Sequence, residues 1–234
     1  LNKLFFNDFK KKCNFNNSNF KDMKKIILTL FIVIAVTINV SAQYKPFQFG
    51  LKIEPGLSVT KPNGDNFSKG SNKMSFNWGF NGNFYFVENY GFSTGFNVRN
   101  ISGNYTYIDS EIGEIDCSID NQYLEIPLSL IMRTEKIGEM RIIGNVGYGL
   151  GICLNKSQKH TYGNEELLDK EIPFNKIRNA LIIKLGVEYN IHKSSCLTAA
   201  FVFNNNFSNI YKNDNTHEHN VVLNNLCLEI GFMF

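Results

Sequence analysis

The stretch Ser75–Val87 reads SFNWGFNGNFYFV. Large apolar side chains stand at every second position, Phe76, Trp78 and Phe80, then Phe84 and Phe86 beyond Gly82. Between them lie Asn77, Gly79, Asn81, Asn83 and Tyr85. Aromatic residues at a period of two predict a strand with one face in an apolar medium and the other in a wet one. Two architectures satisfy this pattern. One is an antiparallel sheet laid over a protein core, the other a barrel wall with lipid outside and a polar lumen inside.

Seven more segments carry the same period. Leu51, Ile53 and Leu57 oppose Lys52, Glu54 and Ser58 in 47–59, and Phe92, Phe96 and Val98 oppose Ser93, Asn97 and Arg99 in 90–101. In 123–133 an apolar row from Leu124 to Met132 opposes Glu125, Ser129 and Arg133. Segments 140–152, 179–191, 196–204 and 224–234 follow suit, the third-last with Lys184 and Glu188 on its polar face and the last with Glu229 on its own. Each spans roughly 9–13 residues, close to the ~9–11 of a tilted transmembrane strand and well beyond the ~5–6 of an ordinary one.

The connections give an independent signal. They are short after the second, fourth and sixth segments (ENY, TEKIGE, HKSS) and long and polar after the others: 60–74, 102–122, 153–178 and 205–223. Short and long connections alternate in outer-membrane barrels, with the short turns in the periplasm. An even strand count then places both ends of the barrel in the periplasm. The polar face, rich in Gly, Asn and Ser with a few charges, suits the interior of a small barrel, where eight strands leave room only for side chains. A soluble core rarely holds so many ionisable groups, and in lipid only a closed barrel satisfies the backbone of every strand. Pro127 sits inside a predicted strand and has no N–H to donate, so a bulge or a missing ladder bond is expected there, with the ring facing the lumen.

The start of the chain carries an address. Met23-Lys24-Lys25 precedes a mostly apolar run, Ile26–Val40, and Val40-Ser41-Ala42 offers small residues before Gln43, the layout of a cleaved signal peptide over 23–42. Gln43 is not a cysteine, so no lipoprotein is expected. Residues 1–22 read as a mis-called upstream extension. Residues 1–42 hold seven Lys and two Asp; taking these from 24 basic and 21 acidic residues leaves 17 against 19, a net of −2 over 43–234. Net charge therefore gives no ground for a nucleic-acid partner.

The segment QYLEIPLSL, Gln122–Leu130, resembles a motif of the outer-membrane β-barrel domain common in Bacteroidetes, the PorT-like group. Tyr123, Leu124, Glu125, Ile126, Pro127 and Leu128 carry the match. The final LCLEIGFMF, ending in Phe234, is similar to the aromatic C-terminal signal by which such barrels are recognised for assembly. The resemblance covers about 43–234 and implies a barrel. Its namesake is associated with type IX secretion, but the motif says little about activity.

Candidate chemistry is sparse. Cys117, Cys153, Cys196 and Cys227 show no CxxC spacing. Cys117 and Cys153 both fall towards the outer end, where pairing is conceivable in an oxidising compartment, yet four unlinked thiols are expected. His217-Glu218-His219 lies in the last long connection without a further ligand, so no metal site is assigned. His160, His217 and His219 are read as loop residues and His192 as a turn residue, none in a Ser/His/acid arrangement, so no catalytic residue and no cofactor is assigned. Arg99 and Glu125 are expected to face inward on adjacent strands as an ion pair, with Lys52, Glu54, Lys184, Glu188 and Glu229 in a similar network lower down, since isolated buried charge is costly.

The sequence therefore predicts an all-β, eight-stranded, up-and-down antiparallel transmembrane barrel in the outer membrane, non-enzymatic, structural, transport-accessory or surface-binding through its outer loops. Outer-membrane lipid, the barrel-assembly machinery and unidentified surface or secretion partners are its expected contacts. A lipid-modifying enzyme of the same architecture and a soluble periplasmic β-domain are the alternatives.

Overall fold

The computed structural model describes residues 46–64, 66–109, 112–163, 165–167, 174–192, 195–211 and 220–234. The expected upstream extension, the signal segment and His217-Glu218-His219 lie outside the described residues. Among these residues ten strands follow in order: β1 (Phe47–Asn63), β2 (Phe67–Lys69), β3 (Lys73–Val87), β4 (Tyr90–Asp109), β5 (Gly113–Arg133), β6 (Met140–Tyr162), β7 (Glu165–Glu166), β8 (Ile177–His192), β9 (Ser195–Asn206) and β10 (Asn220–Met233). The eight long ones form a closed antiparallel ring, β1-β3-β4-β5-β6-β8-β9-β10, with β10 returning to pair with β1. The two short ones edge the outer end, β2 on β4 and β7 on β6.

The opening stretch forms β3. Phe76, Trp78, Phe84 and Phe86 are exposed on its outer side, and Ser75, Asn77, Asn81, Asn83 and Tyr85 are buried on its inner side. The ring has no strand edge at the level of the lipid, as a hydrocarbon medium requires. Phe234 is tied across the closing seam: its N–H donates to the Phe49 carbonyl at 2.7 Å, and its ring lies 5.5 Å from that of Phe49.

Pro127 faces the lumen and pairs with Gly149 of β6. On its other side the β4–β5 ladder passes from Thr94↔Leu128 to Asn97↔Glu125 without a change of register. The backbone pairing lapses for two residues and no bulge forms. Pro55 makes the same kind of lapse at the seam, where pairing skips from Ile53↔Ile230 to Gly56↔Cys227.

Two connections expected as loops carry the longest strand extensions. Most of 102–122 belongs to the β4–β5 hairpin, paired without interruption from Asn97↔Glu125 to Asp109↔Gly113. Most of the first half of 153–178 extends β6 to Tyr162. Ten residues of strand reach about 30 Å along the chain, so this three-stranded sheet projects beyond the lipid-facing belt. The polar composition that reads as loop belongs to the sheet's outer, water-facing side.

Candidate functional site

The inner face changes character partway up the barrel. On β4 the inward residues are Ser93, Asn97 and Arg99, then Ile101, Gly103, Tyr105 and Tyr107. The outward ones change in the opposite sense, from Phe92, Phe96 and Val98 to Asn100, Ser102, Asn104 and Thr106. The same inversion crosses β5, where Glu125, Pro127 and Ser129 give way inside to Tyr123, Ile119, Cys117 and Ile115. Strand β6 reaches it through a bulge. Its register on β5 steps between Gln122↔Asn155 and Tyr123↔Cys153, which leaves Leu154 as an extra residue. The step reverses the parity of the strand and turns His160 inward while Ser157 and Lys159 stay exposed.

Below the inversion the lumen is filled by ion pairs. Lys184 Nζ lies 3.0 Å from Glu229, and Glu229 lies 3.1 Å from Lys52. Lys52 reaches Glu54 at 2.6 Å, Glu54 reaches Arg99 at 3.0 Å, and Arg99 Nε donates to Glu125 at 2.6 Å. Arg178 completes the chain at 2.8 Å from the other oxygen of Glu125. Asn204 Nδ2 donates to the same carboxylate at 3.1 Å, and Arg178 in turn donates to Asn204 Oδ1. Glu54 thus sits between the Lys52 ammonium and the Arg99 guanidinium, one on each carboxylate oxygen. Arg99 and Glu125 have no solvent exposure. Such a chain is viable only when each charge has a partner, because an orphaned one costs several kcal/mol. Gly149 makes room for it: a Cβ there would lie 2.9 Å from the Glu125 carboxyl carbon. The cavity beside the chain, between Lys52, Asn97 and Lys184, has a volume of about 20 Å³, room for about one water.

Three assignments change. Arg178, taken as the last residue of a long connection, is an inward residue of β8 and joins Glu125 to the far wall. Glu188 stands apart from Lys52, Glu54, Lys184 and Glu229. It faces Arg133 at 4.0 Å near the periplasmic end, where the Arg133 guanidinium lies 3.7 Å over the Tyr85 ring and Arg141 meets Glu88 at 3.1 Å. Arg99 and Glu125 are not a separate pair above a lower network, because Glu54 joins the two into one chain.

Above the inversion lies an apolar core. Ile101, Tyr105, Tyr107, Ile115, Cys117, Ile119 and Tyr123 pack with Val221 and Leu223 of β10. Phe174, Ile210 and Tyr211 cover them, with the Phe174 and Tyr211 rings 5.2 Å apart. Each such aliphatic or aromatic side chain contributes about 1.5–3 kcal/mol on burial. Tyr105 and Tyr211 share a hydrogen bond at 2.7 Å, and the Tyr211 hydroxyl lies 3.7 Å from Cys117 Sγ. Burial pushes the Cys117 thiol above its ordinary range, against the smaller opposing effect of the Tyr105 and Tyr211 hydroxyls. All four cysteines of the described residues are free; Cys117 is enclosed in the core opposite His160, and Cys153 is half-buried opposite Tyr123. His160 is not a loop residue: it is buried, 3.4 Å from the Tyr107 hydroxyl and 3.3 Å from Gln158.

Of the motif Tyr123–Leu128, Tyr123, Glu125 and Pro127 point inward and Leu124, Ile126 and Leu128 outward. The motif spans the inversion, with one inward aromatic above it, one inward carboxylate below, and an outward aliphatic row against lipid.

A closed ring of long strands, an apolar outer belt and a charged, filled lumen define an outer-membrane β-barrel. Residues 42–212 match the family model described as outer membrane protein beta-barrel domain, and the chain belongs to that family. Its place is the outer membrane. No curated protein sequence matches the chain. Among solved structures, the chain is similar to Neisserial surface protein A, with 12% identity, a TM-score of 0.48, and coverage of 81% of this chain and 96% of that one. It is similar also to Ail of Yersinia pestis in complex with the heparin analogue sucrose octasulfate (17% identity, TM-score 0.41, 81% and 100% covered). The outer membrane protease OmpT of Escherichia coli is a third (11% identity, TM-score 0.45, 85% and 99% covered).

Proposed function

We propose that this barrel is a non-enzymatic, non-conducting surface protein that binds its partners through the projecting β4–β5–β6 sheet. The observation that carries this reading is the division of the interior. The lumen is occupied by ion pairs around a space of about 20 Å³, and an apolar core covers them at the outer end. Eight strands enclose little free volume to begin with, so the exposed outer sheet is the part with surface to offer. The PorT-like motif at Tyr123–Leu128 supports placement in that branch of the family and leaves a secretion-accessory role within the same reading. Outer-membrane lipid around the belt and the assembly machinery at Phe234 are the contacts it implies.

The test has two arms. Purified barrel in planar bilayers is expected to show no stable ion conductance; steady conductance altered by Glu125→Gln would make it a pore. The second arm shortens the β4–β5 hairpin by replacing 103–119 with a four-residue turn and measures adhesion of expressing cells to surface material. A shortened barrel that still shifts on boiling but no longer adheres supports the reading. Turnover of outer-membrane lipid by the intact protein, lost on His160→Ala, would favour the enzyme instead.

A further inference from the structure

The outward face of the projecting sheet holds a groove of about 380 Å³, inside the usual range of small-ligand sites, about 300–1,000 Å³. Strand register sets its floor. Thr106, Asp116 and Thr161 lie side by side on β4, β5 and β6, and Asn104 and Ser118 form the next row towards the lipid. The segment from Gly70 to Lys73 makes one wall. Asn104 Nδ2 donates to Ser71 Oγ at 3.1 Å, and Lys73 Nζ donates to Ser118 Oγ at 2.8 Å while meeting Asp120 at 3.4 Å. Thr106 donates to one oxygen of Asp116 at 2.8 Å. The Asn104 side-chain carbonyl is enclosed and has no hydrogen-bond partner, so an acceptor there lacks a donor.

The lining selects its ligand by elimination. An ion of either sign meets a like charge in the lining, Asp116 for an anion and Lys73 for a cation. An apolar ligand finds hydroxyls, amides and charges where it needs hydrocarbon. Hydroxyls that both donate and accept match a lining of carboxylate, ammonium, amide and hydroxyl groups. We propose that this groove binds a short stretch of uncharged sugar. The proposal rests on the surface-binding reading and names its ligand class. Met74, the residue after Lys73, is 82% exposed at the edge of the lipid-facing belt, so the groove opens just above the membrane rim. Sugars reach that position from two sources: a glycolipid of the same membrane and a free glycan outside it.

The experiment is an amide-resolved NMR titration of the whole barrel with uncharged tetra- to hexasaccharides of glucose, mannose and galactose. Each is offered free to the barrel in micelles and lipid-anchored in nanodiscs. Saturable shifts are expected at Asn104, Thr106, Asp116, Ser118 and Thr161. Asp116→Asn is expected to weaken binding about tenfold or more, the loss of one hydrogen bond to a charged group, and Thr106→Val to weaken it less. Asp109→Asn, outside the groove, leaves affinity unchanged. Shifts with anchored sugar alone identify the membrane glycolipid as the source, and shifts with free sugar identify a soluble glycan. The proposal is overturned if no uncharged sugar shifts these amides in either form, if only sulfated or phosphorylated sugars do, or if Asp116→Asn binds as tightly as the parent. Adhesion that persists through the outer sheet with a silent groove overturns this inference alone; loss of adhesion in the intact barrel overturns the surface-binding reading with it.

Discussion

The lipid-spanning wall and the projecting outer sheet are made of the same strands, yet they are built inside out relative to each other. Below Arg99 and Glu125 the outside is Phe, Leu and Ile and the inside is charge; above Ile101 and Tyr123 the outside is Asn, Ser and Asp and the inside is Ile and Tyr. The solvent outside the wall decides. Lipid removes the reason to hide apolar groups and makes the lumen the only place for polar ones, and water restores the ordinary arrangement. One continuous hairpin thus passes from a membrane protein to a water-soluble one within two residues.

The sharpest way to break this contrast is to damage the inside of each half. Glu125→Ala leaves Arg99 and Arg178 short of a carboxylate and is expected to cost about 3–5 kcal/mol, read as urea unfolding of the barrel in lipid vesicles. Because Arg99 also holds Glu54, replacing Arg99 and Glu125 together restores only part of the loss. Recovery to parental stability would show that the two act as an isolated pair.

Above the inversion the equivalent damage is a cavity. Ile119→Ala is expected to cost about 2–5 kcal/mol. It should loosen the outer sheet, seen as faster hydrogen exchange at Ile115–Ile119, while the boiling-dependent gel shift remains. Loss of that shift would mean the outer core is needed for the barrel itself.

The outside faces give a smaller and asymmetric effect. Leu185→Arg, near the middle of the lipid-facing part of β8, is expected to cost about 2–4 kcal/mol, whereas Ser157→Arg on the exposed face of β6 stays within about 0.5 kcal/mol. Equal costs would place both faces in the same medium. Smallest of all is the response of Cys117. Its thiol stays protonated at neutral pH, so maleimide is expected to label it only after unfolding. Rapid labelling of intact protein would show that the core lid of Phe174 and Tyr211 opens.

The eight-strand barrel was legible in the sequence because lipid-facing alternation is strong: Phe76, Trp78 and Phe80 leave little choice of period. The extensions of β4, β5 and β6 were not, although Ile115, Cys117 and Ile119 keep the same period. Their outward partners Asp116, Ser118 and Asp120 are residues of loops in any compositional count, and only the inversion explains them. Arg178 was hidden for the same reason, since it follows a polar run and precedes the apolar row of β8. The inward direction of Lys52, Glu54, Arg99, Lys184 and Glu229 could be read from parity alone. Which carboxylate meets which cation depends on distances across the lumen, between strands far apart in sequence, and parity does not supply them. The position of Glu188 shows this: it shares a strand and a face with Lys184 but sits lower, beside Arg133.

The seam between β1 and β10 has a consequence for biogenesis. Backbone pairing lapses there at Glu54 and Pro55, and Lys52 reaches across to Glu229 at the same level. Lys184 of β8 also depends on Glu229, which arrives on β10, the strand of the ring made after the other seven. Before β10 is in place, Lys184 therefore lacks the carboxylate it meets at 3.0 Å, and Lys52 keeps only Glu54 of its own strand. Arrival of β10 thus closes the wall and supplies charge in one step, because its Glu229 serves cations on both β1 and β8.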